Sequence, residues 1–186
     1  FNQPIGGWNV SNVENMNYMF RGAEKFNQPI NNWDVSNVKT FSFMFQGSQA
    51  FLDYYGILGT PDPAFWNKFT DSDFKQTVDE YWPTENATEP VQSIREKYGY
   101  IRDWNVSQVT NFYGGFKDKF NFNEDISNWD VSKVTNMESM FRGTSIASQF
   151  DQPIGNWDVS KVTNMKWMFS NASQFNQNIS NWNVSN

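Results

Sequence analysis

Residues 5–23 read IGGWNVSNVENMNYMFRGA, and the spacing of their apolar positions carries the argument about architecture. Trp8 and Val10 flank polar Asn9, an alternation that predicts a short strand. From Val13 the period changes. Val13, Met16 and Phe20 recur at three- and four-residue steps and would share one helical face. Ser11 stands where an N-cap would stand, with Glu14 three residues on as in a capping box. Gly22 closes the segment at a helix C-cap position.

The pattern recurs along the chain. Trp8, Trp33, Trp104, Trp129, Trp157 and Trp182 are 25 residues apart, except for steps of 28 after Trp129 and 71 after Trp33. Each of the first five is followed twelve positions later by Phe20, Phe45, Phe116, Phe141 or Phe169. Each except Trp104 is preceded seven positions earlier by Phe1, Phe26, Phe122, Phe150 or Phe175. Gly47, Gly143 and Asn171 take the place of Gly22 in later copies, all residue types suited to a left-handed cap. One copy cannot bury Trp, Ile, Val, Met and Phe by itself, but stacked copies can. The expected fold is therefore an α/β solenoid, a leucine-rich-repeat-like stack of 25-residue units, each a short parallel strand plus a short helix. Pro4, Pro29 and Pro153 fall before the expected ladder, where a residue without an N–H is tolerated.

The Ile-x-x-Trp-x-Val spacing is the apolar skeleton of a leucine-rich-repeat strand with Trp in place of a Leu. The unit at 150–169, FDQPIGNWDVSKVTNMKWMF, with its NWDVSxVTNMxxMF core, resembles the BspA-like surface-protein repeats, the DUF285 family. The resemblance covers residues 1–51 and about 100–186. It implies a secreted or surface-anchored protein with a role in adhesion or partner binding, and it carries over no catalytic residue. The third copy departs from the pattern at Gly114 and Gly115, where a helix would prefer better helix formers.

The chain divides into repeats at 1–51, an insertion at 52–99 and repeats at 100–186, expected to form one continuous array. It opens mid-pattern at Phe1 without an initiator Met, and no polar capping repeat is visible at either end. Both features suggest boundaries within a longer array. The insertion is rich in aromatics, including Tyr54, Tyr55, Trp66 and Trp82, and two helices are expected in it. One would start at Asp71-Ser72 and run to about Tyr81 before Pro83; the other would run from Pro90 to about Tyr98 and stop at Gly99.

Composition removes several classes of function. With no His and no Cys, the commonest general base, the commonest metal ligand and any thiol nucleophile are missing. The net charge of −6 and the absence of a basic block argue against nucleic acid. No apolar run approaches the roughly 18–20 residues needed to span a bilayer. The carboxylate pairs Asp71/Asp73 and Glu124/Asp125 are read as loop residues on a solvated surface, without a partner residue or recognisable spacing. No enzyme, cofactor or metal site is expected.

Binding residues are sought in the columns that stacking would create. The residue between Trp and Val forms one column, Asn9, Asp34, Asn105, Asp130, Asp158 and Asn183. The residue before Trp forms another, Gly7, Asn32, Asp103, Asn128, Asn156 and Asn181. These could form an amide ladder, bonding between copies or to nearby backbone, or a mildly acidic ligand surface with Lys133 and Lys161 screening Asp130 and Asp158. In the insertion, Tyr54, Tyr55, Trp66 and Trp82 are binding candidates, against the alternative that they pack the insertion's own core. Six Asn-x-Ser/Thr sequons begin at Asn9, Asn86, Asn105, Asn171, Asn178 and Asn183. Composition alone would yield roughly three or four, three of the six are copies of the same Asn-Val-Ser, and Asn86, in a polar loop, is the best glycosylation candidate.

Two functions remain in view. The first is an extracellular or cell-surface scaffold for adhesion, or for protein or glycan binding. The second is a structural subunit or spacer in a surface fibre, appendage or virus particle, whose partners are copies of itself.

Overall fold

The computed structural model describes residues 1–185. The described residues fall into two compact units: Phe1–Asn67 with Arg95–Trp104, and Lys68–Ile94 with the chain from Asn105 onward.

The α/β solenoid is overturned, and the leucine-rich-repeat architecture with it. Among the described residues no strand or sheet forms, only isolated parallel bridges such as Asn15–Thr40, Asn111–Asn136 and Asn136–Asn164. The three α-helices are short and lie between Gln49 and Tyr98, outside the segments where the repeat pattern predicts helices.

What the repeats form instead follows from their backbone hydrogen bonds. In the first copy Trp8 N–H donates to Ile5 O, Val13 to Val10, Met19 to Met16, Arg21 to Tyr18 and Ala23 to Phe20. These are consecutive turns closed by i→i+3 bonds. The alternate amides go elsewhere: Met16, Tyr18, Phe20 and Gly22 donate to the carbonyls of Thr40, Ser42, Met44 and Gln46 in the next copy. The second unit repeats this arrangement. Phe112, Gly114, Phe116 and Asp118 donate to Asn136, Glu138, Met140 and Arg142, while Met137, Ser139, Phe141 and Gly143 donate to Asn164, Lys166, Met168 and Ser170.

The physical reason for turns in place of a helix is local. Asn15 Oδ1 accepts the N–H of Asn17 at 2.9 Å, and Asn111, Asn136 and Asn164 do the same two residues on. Such a side chain offers the backbone an alternative to the helical i→i−4 bond. The next position then takes a left-handed backbone, with φ of 59° at Tyr18, 57° at Ser139 and 57° at Trp167; Phe43, after Ser42 whose N–H is held by Asn17 Oδ1, takes 56°. No α-helix runs through such a residue. Ser11 is likewise no N-cap, because no helix follows it and its hydroxyl donates back to Asn9 Oδ1. Gly22, Gly47 and Asn171 do adopt the expected left-handed conformation, but they close a turn and not a helix.

The inward residues make each unit cohere. Met16, Phe20, Phe26, Ile30 and Trp33 are buried in the first unit, and Val131, Met137, Phe141, Phe150 and Ile154 in the second. The two Phe series interleave as parallel rings. Phe141 stacks on Phe150 of the same stretch at 3.8 Å and on Phe116 and Phe169 of neighbouring copies at 5.7 and 5.8 Å. Three repeat Trp side chains also reach back one copy: Nε1 of Trp33, Trp157 and Trp182 donates to the carbonyls of Ile5, Ile126 and Ile154.

In and around the insertion, α1 spans Gln49–Tyr55, α2 Asp71–Tyr81 and α3 Gln92–Tyr98, with single 3-10 turns at Pro63–Trp66 and Ile101–Asp103. The two expected helices are therefore present. The first residue before α2 is Thr70, whose N–H is taken by Asp73 Oδ1 at 2.6 Å, so the cap falls one residue earlier than the sequence suggests. α3 stops at Gly99, whose φ is 77° and whose N–H closes on Arg95 O.

Candidate functional site

The column between Trp and Val points outward, and its acceptors are spent locally. The Oδ1 atoms of Asn9, Asp34, Asn105, Asp130, Asp158 and Asn183 each accept the N–H of the Ser two residues on, at 3.1–3.3 Å. Of the two ladder readings, bonding to nearby backbone is the one the geometry contains. Bonds from Ser160 hold the Asp158 carboxyl below the usual carboxylate range, with Lys161 contributing least. Lys133 Nζ turns to Gln108 Oε1 at 3.0 Å.

An amide ladder between copies does exist, in the Phe-Asn-Gln return segment. Asn2 Oδ1 accepts Asn27 N–H and Gln28 Nε2; Asn123 Oδ1 does so for Asp151 and Gln152. Asp151 Oδ1 in turn holds Asn176 and Gln177, and these bonds keep its carboxyl below the usual range. In the column before Trp, the Asp103 carbonyl accepts Asn31 Nδ2 at 2.6 Å, a structural tie inside the first unit.

Of the insertion aromatics, Tyr55, Trp66 and Trp82 are buried. Burial pushes the Tyr55 hydroxyl far above its ordinary range. Tyr54 is 43% exposed and lies under the Arg102 guanidinium at 4.9 Å. The carboxylate pairs also serve structure: Glu124 accepts the Tyr81 hydroxyl at 3.0 Å, and Asp125 accepts Ser127 N–H. Among the described residues no group of three or more acidic side chains converges as a metal site would require.

Four sequon asparagines, Asn9, Asn105, Asn178 and Asn183, are engaged in turns to their own second-following Ser. Asn171 is left-handed, and its carbonyl accepts Ser148 N–H. Asn86 is exposed and makes no such turn.

Asp71 sits at the start of α2. Burial opposes its ionisation, but bonds from Thr110 Oγ1 (2.6 Å), Thr110 N–H (2.6 Å) and Asn111 N–H (3.0 Å) outweigh that and depress its pKa. Asp79 behaves alike: burial is outweighed by Lys75 and Lys119. Carboxyls with folded pKa values below the unfolded value of about 3.9 contribute stability above that value and lose it as pH falls through the folded pKa. Acid titration of the second unit, followed by circular dichroism, is therefore expected to show a loss of stability below about pH 4. The Asp71→Asn chain should show a shallower loss, and an unchanged titration would remove Asp71 from the account.

The exposed surface holds residues that the sequence reading passed over. Tyr18, Phe43 and Trp167 occupy equivalent positions, each about half exposed and each with left-handed backbone. That conformation costs a residue bearing a Cβ about 1–2 kcal/mol, and Gly114 takes the same place in the third copy without this cost. Tyr18 and Phe43 stack at 5.4 Å, with the Arg21 guanidinium 5.6 Å from the Tyr18 ring and Met19 exposed beside them. In the second unit, Trp167 carries Arg142 at 4.6 Å and Lys166 at 4.1 Å over its ring. Trp167 also borders an apolar hollow of about 470 Å³ with Met168, Ile179 and Trp182. A second hollow of about 600 Å³, among Asn123, Ile146, Asp151 and Ser173, is more polar. The signal in sequence was available: an aromatic two residues before the second Phe in three of five copies, among polar neighbours.

The family model described as "Mycoplasma protein of unknown function, DUF285" matches residues 1–57 and 85–186. No curated protein and no solved structure matches the chain. Among the described residues no helix is long and apolar enough to cross a membrane.

Proposed function

The chain belongs to the DUF285 family, and from that premise we propose that it is a non-catalytic, surface-displayed repeat scaffold that binds a protein or glycan partner. One observation carries the reading. Large aromatic side chains are held half exposed on strained backbone at Tyr18, Phe43 and Trp167, where packing gains little from them. The turn imposes this backbone in every copy, and Gly114 and Ser139 meet it without a ring, so the three aromatics are more than the turn requires. Aromatics with Met and Arg are also the residue types enriched in protein recognition surfaces. Surface display comes from the resemblance to BspA-like repeats, and the polar outward column fits a solvated exterior.

Glycine at both Tyr18 and Phe43 relieves the left-handed strain while removing the rings. The effects on stability oppose each other, strain relief of about 1–2 kcal/mol per residue against a ring pair worth about 0.5–1.5 kcal/mol and a glycine entropy cost of about 0.5–1 kcal/mol per residue. The double variant is expected to melt within a few degrees of the parent chain. Labelled chain is to be measured on immobilised neutral polysaccharides and on intact epithelial cells, with adsorption expected to fall about tenfold or more in the variant, the loss of a typical recognition hot spot. Equal adsorption by parent and variant, or none by either, would sink the reading and leave the spacer function in its place.

A further inference from the structure

The repeat edges inside this chain are covered by residues that are not repeats. Where Trp33, Trp157 and Trp182 follow an earlier copy, Nε1 donates to that copy's Ile carbonyl, as Trp33 does to Ile5 at 3.1 Å. The last repeat copy of the first unit has no such successor, yet Ile30 O receives the same bond from Trp66 at 2.9 Å. Trp66 belongs to the 3-10 turn Pro63–Trp66 and stacks on Phe41 at 4.9 Å. Phe51, in α1, stacks on Phe45 at 3.9 Å and on Phe26 at 5.6 Å. Those contacts match the ones Phe26 makes with Phe20 at 4.1 Å and Phe1 at 5.9 Å. The chain thus supplies the Phe and the Trp of a further copy without its remaining turns.

The second unit has the mirror need, a predecessor for its first copy. Between true copies, Thr135 and Asn136 N–H both donate to Thr110 O, and Thr163 and Asn164 N–H both donate to Thr135 O. Thr110 and Asn111 N–H make the same paired donation to Asp71 Oδ1, at 2.6 and 3.0 Å. A side-chain oxygen stands in for the missing backbone carbonyl. Lys68 bridges Asn105 in parallel, and Phe69 N–H donates to Asn105 O at 2.8 Å. Phe74 of α2, 1% exposed, places its ring against Phe112 at 4.8 Å and Trp129 at 5.7 Å.

We infer that residues 48–82 are an internal double cap: Phe51 and Trp66 terminate the first set of repeats, Asp71 and Phe74 initiate the second, and the two units open as separate cooperative bodies. Repeat arrays need caps because an open edge exposes apolar side chains and unpaired backbone groups. A cap placed inside the chain divides cooperativity at that point.

Hydrogen exchange of the full 186-residue chain, read peptide by peptide, tests this. Trp66→Ala is expected to speed exchange of the Met16, Tyr18, Phe20 and Gly22 amides about tenfold or more, the effect of emptying a buried Trp site. The Met137, Ser139, Phe141 and Gly143 amides should stay within about twofold of the parent, as independent bodies require. Asp71→Ala should do the reverse, speeding the Phe112, Gly114, Phe116 and Asp118 amides and sparing the first unit. Should Trp66→Ala fail to fold, Trp66→Phe keeps the ring, loses the Nε1 bond, and is expected to show a smaller rise confined to the first unit. A rise shared equally by both units, from either substitution, would overturn the inference. So would protection unchanged by both.

Discussion

Phe141→Ala is expected to cost the second unit about 3–5 kcal/mol, the range for emptying a buried phenyl site. Phe141 is fully buried and sits at the crossing of the two ring series, against Phe150 at 3.8 Å, Phe116 at 5.7 Å and Phe169 at 5.8 Å. Its amide also donates to Met168 O at 3.0 Å, within the alternate-residue series that joins those copies. Parallel rings held this way are offset stacks, each worth about 0.5–1.5 kcal/mol beyond simple burial. Removing the middle ring breaks three of them together and leaves a cavity at the centre of the unit's core. Phe141→Leu restores part of the volume and should recover roughly half the loss. Urea unfolding followed by hydrogen exchange in residues 105–185 is the measurement. A loss under about 1 kcal/mol would mean that the ring columns are a by-product of the turns and not the source of cohesion.

Trp33→Ala is the corresponding lesion in the first unit, with an expected loss of about 3–5 kcal/mol. Trp33 is 1% exposed, packs on Trp8 at 6.4 Å and Phe20 at 6.2 Å, and ties its copy to the preceding one through Ile5 O. Trp33→Phe separates the contributions. It keeps most of the apolar area but loses a hydrogen bond worth about 1 kcal/mol. Ile5 O still accepts Trp8 N–H in that variant, so no acceptor is stranded. Denaturation monitored by the exchange of amides in residues 1–47 would expose a smaller effect, which would shift the weight of the unit onto the Phe series.

The period and the inward face were legible from residues 5–23, because burial depends on which positions are apolar. The backbone path was not. Three- and four-residue apolar steps fit a helix, but a run of turns closed every third residue also returns Val13, Met16 and Phe20 to one side. The decisive residue is Asn15, whose short carboxamide takes Asn17 N–H before a helix can. Ser11 shows the same ambiguity, a capping type that here receives no helix and instead completes the turn begun by Asn9. α2 and α3 were readable because Pro83 and Gly99 punctuate them. α1 was hidden because Phe51 continues the repeat phase from Phe26. The insertion's aromatics divide as their dual reading allowed: Tyr55, Trp66 and Trp82 went to the core, and Tyr54 stayed at the surface. Deleting 52–99 would therefore remove Phe65, Trp66, Phe69 and Phe74 from buried positions, so surface substitutions test binding more cleanly than deletion does.

The alternation of backbone bonds has an evolutionary consequence. One edge of every copy offers amides at alternate residues, and the other offers carbonyls at the same rhythm, so any copy mates with any other. Duplication or loss of a whole 25-codon block within a unit would leave every remaining junction chemically intact. The copy between Trp129 and Trp157 shows that length can drift too. Its step of 28 residues leaves the Phe141–Met168 and Gly143–Ser170 bonds in place. The internal caps set the limit, because Trp66 and Asp71 each fit one kind of edge. Variation in repeat number is expected on either side of residues 48–82, while that segment is inherited as a block.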